Sequence, residues 1–231
     1  MRTIVYVDGY NLYYGRINKT PYKWLDLPTL FQGILKAQEP SSAIELVKYF
    51  SAPALAKFSR LGQESATAQK HYHRALETKY PELFSITLGK HDFTQDFAPE
   101  YIEGKPPDKN LRVYVWKVVE KKTDVSLAIA MYQDAAKGAC DQLVLCSNDS
   151  DAEPALEAIC ADFPNLRVGL ITPRRPPKEN HSRVVSTSLS KLAHWTRSHI
   201  TDDELAQAQL PQNIVAPSGK VFRKPKHWYV A

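Results

Sequence analysis

The sequence predicts an α/β fold in which a largely parallel sheet is covered by helices. Three observations lead there. Short apolar runs alternate along the chain with segments of helical periodicity. Two of the apolar runs, "IVYVDGYN" and "LVLCSNDSD", end alike on carboxylates and other polar side chains. The chain has 231 residues, 43% of them hydrophobic and 24% charged, which suits a globular domain with a sizeable core.

The elements follow in order. Residues 3–7 form a first strand, and residues 27–35 are helical. "IELVKYF", residues 44–50, is a second strand. Residues 59–79 are polar with few breakers and predict a long exposed helix that ends before Pro81. Residues 84–88 and 111–119 are further strands, joined by a loop that carries Pro99, Pro106 and Pro107. "KKTDVSLAIAMYQDAAKG" sets Val125, Ala128, Ile129 and Tyr132 at helical spacing, with Gly138 as its stop. "QLVLCSNDSD" is a strand running into polar residues, and "DAEPALEAICADF" is a helix with Pro154 near its start, where proline is tolerated. "LRVGLITP" is the next strand. Residues 201–231 form a tail rich in proline that also holds Val221, Phe222, Trp228 and Tyr229, so it is expected to dock on the domain of residues 1–200 as an irregular or hairpin segment.

Composition excludes several classes. Cys140, Cys146 and Cys160 make an odd count without a CxxC pair, which reads as free thiols. His71 and His73 are two residues apart and would point to different faces of a helix, so they make no zinc pair. The apolar run before Asp8 is too short for a signal peptide or a membrane span, so a cytoplasmic protein without membrane contact is expected. No P-loop or GxGxxG phosphate cradle is present. The net charge of +5 is uneven: between Pro164 and Ile200 seven cations, among them Arg174 and Arg175, face Glu179 alone, and Lys220, Arg223, Lys224 and Lys226 form a second cluster. Two such clusters favour a polyanionic partner.

The carboxylates carry the chemistry. In an open parallel sheet, ligands bind beyond the carboxyl ends of the strands. If the two strands are neighbours, Asp8, Asp149 and Asp151 meet there, and Asp124 joins them from the start of a helix. Carboxylates about 4–5 Å apart repel by roughly 1–4 kcal/mol, so one must hold a proton or a cation must neutralise them. Oxygen-only ligands favour Mg²⁺ or Mn²⁺. Taken singly, Asp124 would offset a helix dipole, Asp151 would cap a helix, and Asp8 would start a turn.

"VDGYNLYY", "KKTDVSLAIAMYQDA" and "LVLCSNDSDAEPAL" resemble, in order, the signature blocks of the NYN domain family of PIN-like nucleases. The resemblance implies a PIN-like three-layer α/β/α sandwich with a central, mainly parallel sheet. It also implies an acidic Mg²⁺ or Mn²⁺ site and activity on RNA. By position it assigns Asp8, Asp124, Asp149 and Asp151 to catalysis, the first three as metal ligands, with Asn11 and Ser147 orienting water or phosphate. Two positions depart from the pattern: Asn148 stands where glycine is usual, and Ala130 where many members have an acid. Asp134, one turn on, would compensate only if it faced the site rather than solvent or a basic neighbour.

The expected function is therefore a metal-dependent ribonuclease, with Lys121, Lys122, Arg174 or Arg175 neutralising the RNA backbone. The alternative, favoured by the missing acid at Ala130, is a PIN-like RNA-binding or protein-interaction module. A homodimer is open. A dehalogenase-type phosphotransferase wants an acid two residues after the first aspartate, where Tyr10 stands, and a receiver domain needs an acidic pair where only Asp8 is available.

Overall fold

A computed structural model of the chain describes residues 1–177 and 184–229. Five β-strands come first in sequence: β1 (Arg2–Asp8), β2 (Ala43–Ser51), β3 (Phe84–Leu88), β4 (Lys90–Pro99) and β5 (Arg112–Lys121). They are followed by β6 (Gln142–Cys146), β7 (Arg167–Ile171), β8 (Trp195–Arg197), β9 (Asn213–Val215) and β10 (Val221–Arg223). The helices are α1 (Gly9–Leu12), α2 (Leu27–Gln38), α3 (Gln63–Lys79), α4 (Thr123–Ala136), α5 (Glu153–Asp162), α6 (Thr187–Leu192) and α7 (Asp202–Gln207). Six strands pair in parallel in the order β3-β2-β1-β6-β7-β8, flanked by helices as an α/β/α sandwich.

Strand β1 shows why the sheet sits in the middle. Its side chains alternate: Ile4 and Tyr6 pack into the core on one face, Val5 and Val7 into the core on the other. Strand β6 repeats this, with Leu143 and Leu145 on the first face and Val144 and Cys146 on the second. Strands buried on both faces read as continuous apolar runs, which is how these two look in the sequence. Helix α2 covers the second face through Leu30, Phe31 and Ile34, and α4 and α5 cover the first through Leu127, Met131, Leu156 and Ile159.

Strand order reverses at the β1–β6 pair: β2 and β3 continue to one side, β7 and β8 to the other. Such a switch point opens a crevice at the carboxyl ends of the two strands. The two acid-terminated runs of the sequence are the two strands on either side of it.

Several expectations change. Residues 111–119 are a strand, as read, but β5 stays out of the parallel sheet and pairs antiparallel with β4 in a separate ribbon. The preceding proline-bearing loop holds β4, whose single proline, Pro99, is its last residue. Helix α3 begins at Gln63 rather than at residue 59, because Gly62 takes a positive φ of 52°. It is not merely exposed, since Ala68, Tyr72, Ala75 and Leu76 are buried. On α4 the buried face is Thr123, Leu127, Met131 and Ala135, whereas Val125 and Ile129 are at least half exposed. Apolar residues occupy both sides of that helix, and the sheet decides which side packs. Gly138 ends the segment at a φ of 60°, the left-handed geometry expected of a helix stop.

The three cysteines are free. In the tail, β9 and β10 pair as a hairpin whose Ile214 and Phe222 enter the core, and Trp228 packs on Trp24 and Tyr72. Among the described residues no helix is long and apolar enough to cross a membrane. Lys178, Glu179 and Arg183 of the first basic run lie outside the described residues.

Candidate functional site

Asp8 ends β1 and caps α1, accepting a hydrogen bond from the backbone N–H of Asn11 at 2.9 Å. Its other carboxylate oxygen accepts from the Ser147 hydroxyl, also at 2.9 Å. Ser147 follows β6 directly and itself accepts the backbone N–H of Asp149 at 3.0 Å. Asp149 in turn accepts from the N–H of Asp151 at 3.1 Å, and Asn11 accepts from the N–H of Asn148 at 3.3 Å. A chain of hydrogen bonds thus stitches the ends of β1 and β6 together across the switch point.

Asp8, Asp124, Ser147, Asp149 and Asp151, with Leu127 and Ala152, line a cavity of about 10 Å³. That is room for one water or one ion. Asp8 is only 5% exposed, and burial, opposed by the two hydrogen bonds and aided by the charges of Asp124 and Asp149, lifts its carboxyl from 3.8 to about 6. Asp124 stands at the mouth in the first turn of α4. Partial burial, then the charges of Asp149 and Asp151, raise its carboxyl as well. Among the described residues no group of three His, Cys, Asp or Glu side chains is placed to hold a metal ion as it stands. The acids share a cavity without converging on one point.

The structure therefore brings together Asp8, Asn11, Asp124, Ser147, Asp149 and Asp151. The basic residues named from the sequence do not line the cavity. Lys121 pairs with Asp92 at 3.1 Å, Lys122 is exposed at a φ of 79°, and Arg175 donates to the carbonyl of Asn18 at 3.3 Å. Arg174 follows β7, where its carbonyl accepts the N–H of Ile200. Asp134 turns away from the site, accepting from the Tyr6 hydroxyl at 2.5 Å and pairing with Lys48 in the core.

Two side chains beside the site escaped the sequence reading. Glu120, at the base of the ribbon, has one carboxylate oxygen buried without a hydrogen-bond partner. Burial, and then the charge of Asp124, raise its carboxyl. His91, paired with Glu120 across the ribbon, shares a 2.9 Å hydrogen bond with the Tyr10 hydroxyl. The one available signal was Glu120 itself, a lone acid in the apolar and basic run "VWKVVEKK".

No family model matches the chain. The solved structure of a protein of unknown function, VPA0982 from Vibrio parahaemolyticus, is similar at 18% identity and a TM-score of 0.49, covering 87% of this chain and 94% of that one. Far more similar in sequence is 6-hydroxy-3-succinoylpyridine 3-monooxygenase HspA from Pseudomonas putida, 36% identical over 99% of this chain and 76% of that protein. This relative overturns the expected ribonuclease and its alternative, an RNA-binding or protein-interaction module, because its name is that of an oxidoreductase. The physical reason for the error is that clustered carboxylates define a place where a proton or a cation is held, and many reactions need such a place. The chain belongs to the family of 6-hydroxy-3-succinoylpyridine 3-monooxygenase HspA, and so to a family of enzymes.

Proposed function

We propose that this protein is a monooxygenase acting on a hydroxylated, pyridine-type aromatic ring, bound at the crevice between β1 and β6. The observation that carries this reading is the 36% identity to a monooxygenase of that substrate class over 99% of the chain. The site supplies a fitting proton acceptor. Asp8 is buried, is oriented by Ser147 and Asn11, and has a carboxyl raised to about 6. A carboxylate tuned toward neutrality suits general-base work. As its anion, Asp8 takes the proton of the ring hydroxyl, which enriches the ring in electrons at the carbon that is oxygenated. At a ring carbon that bears an acyl group the new hydroxyl replaces that group: one atom of O₂ enters the ring, the other leaves as water and the acyl group leaves as an aldehyde, with four electrons and four protons supplied through two equivalents of a donor such as a reduced nicotinamide.

The donor set of Asp8, Asp124 and Asp149 is all oxygen, the type that suits Mg²⁺ or Mn²⁺. When bound, such an ion would offset the negative charge of these acids and of an ionised ring oxygen. The ligand positions are those implied by the NYN-like blocks, and part of the reading is that Asp124 and Asp149 adjust their side chains to reach the ion.

Incubation with 6-hydroxy-3-succinoylpyridine, ¹⁸O₂ and a reduced nicotinamide, with and without Mn²⁺, tests the reading. Substrate loss accompanied by oxidation of two equivalents of donor, with one ¹⁸O in the ring product, is the expected result. Asp8→Asn should lower the rate by about 10²-fold or more. Absence of label from the product, or an Asp8→Asn enzyme as fast as the parent, would refute it.

A further inference from the structure

The β4–β5 ribbon is amphipathic. Paired residues of an antiparallel ladder point to the same side. The register Phe93↔Val118, Gln95↔Trp116 and Phe97↔Tyr114 therefore gathers an apolar, mostly aromatic face. The opposite face carries Asp92 bridged to Lys90 and Lys121, and Asp96 bridged to Lys117, so its charges are satisfied within the ribbon. Among the described residues this face is covered only in part, by Phe58 stacked on Phe93 and by Arg112, which lies over the Phe97 ring and donates to the Phe97 carbonyl. Tyr114 is 82% exposed and Trp116 66%. Among the described residues neither β4 nor β5 pairs with a further strand, and a lone two-stranded ribbon is marginally stable in water.

We propose that this face is the two-fold interface of a homodimer, with Trp116 at its centre and Arg112 of each copy set against Glu120 of the other. Area and charge both support a second copy as the occupant. With about 150–250 Å² per aromatic side chain, the exposed fractions leave roughly 500 Å² of apolar surface open. A self-complementary contact would bury about twice that, near the 1,000 Å² that marks a specific interface. The charges on this face lie at its two ends: Arg112, paired with Pro99, at the tip and Glu120, paired with His91, at the base. They are equally spaced about Trp116, so a two-fold axis through Trp116 brings unlike charges together at both ends. The Glu120 side chain is only partly buried, so its charge is open to Arg112 of the second copy. Each ribbon tip would then lie against the other copy's catalytic crevice.

Sedimentation velocity between about 1 and 100 µM reads the outcome, since a dimer has twice the 26.2 kDa of the chain. The wild type should be a dimer, and Tyr114→Glu/Trp116→Glu a monomer with unchanged far-ultraviolet circular dichroism. Thr94→Glu, on the charged face, should leave the dimer intact. Arg112→Glu should weaken association by at least about tenfold, and Arg112→Glu/Glu120→Arg should restore it. That charge-swap pair keeps the test decisive if the aromatic double variant fails to fold. A wild type monomeric at about 100 µM would overturn the proposal, as would a face that binds only some other protein, dimerisation that survives loss of Tyr114 and Trp116, or a charge swap that does not rescue.

Discussion

At the scale of single residues, the role proposed for Asp8 carries a cost in stability. Its carboxyl titrates near 3.8 when the chain is unfolded and at about 6 when folded. The folded state therefore holds the proton more tightly. This contribution to stability is full below pH 3.8 and is lost as pH rises through about 6. A shift of this size amounts to roughly 3 kcal/mol of folded-state destabilisation at neutral pH. Asp8→Asn keeps an oxygen for the Asn11 N–H and gains an N–H to give Ser147. It should raise the denaturant midpoint at pH 7, by up to about 3 kcal/mol in stability, and leave stability nearly unchanged at pH 4. Catalysis has the opposite sign. A base must be ionised to act, so the rate of substrate turnover should fall as pH drops through about 6.

At the scale of elements, the turn from β1 into α1 depends on Gly9. A Cβ there would lie 2.6 Å from the Tyr49 hydroxyl and 2.7 Å from the carbonyl oxygen of Phe50, a backbone atom that cannot step aside. Gly9→Ala should destabilise the fold by about 1–3 kcal/mol, read from urea unfolding, and should also lower activity because Asp8 is the preceding residue. Helix α4 is fixed to β2 by the pair of Asp134 and Lys48, with the Tyr6 hydroxyl as a third partner. Removing one member of such a pair strands the other. Lys48→Met should cost about 2–4 kcal/mol, at the lower end of the buried range because the Lys48 side chain is 21% exposed. Its activity at saturating substrate should hold wherever the protein stays folded, since Asp134 lies outside the cavity.

At the scale of the whole molecule, the tail is part of the core. Ile214 and Phe222 are 8% and 5% exposed and pack with residues of α2 and α3. Full burial of such side chains is worth about 1.5–3 kcal/mol each. A chain ended at Gln212 should therefore lose about 3–6 kcal/mol, measured as a lower melting temperature and unfolding midpoint. Arg16 adds a second tie: buried at 1% exposure, it donates to the carbonyl of Ile200 and pairs with Asp202 at the start of α7.

The fold was legible wherever an element is buried on both faces or punctuated sharply. The runs that form β1, β6 and β7 are largely continuous apolar stretches, and the sequence pattern alone sets Asp8, Ser147 and Asp149 at strand ends. Glu120 and His91 were not legible as neighbours of the site, because they reach it through a ribbon whose register joins residues far apart in sequence. The buried face of α4 was misread for a related reason: both sides of that helix carry apolar residues, and only the sheet selects one.

By itself the sequence determined the alternation of strands and helices, the acidic ends of two strands, and through its likeness to a relative its membership of a family of enzymes. These are local patterns, or comparisons of one chain with another, and they need no long-range contacts. Tertiary structure alone decided that β1 and β6 are neighbours at a switch point, that burial raises the Asp8 carboxyl, and that β4 and β5 leave the sheet with an aromatic face uncovered. Pairing, burial and exposure are properties of residues distant along the chain, and they exist only once the chain has packed.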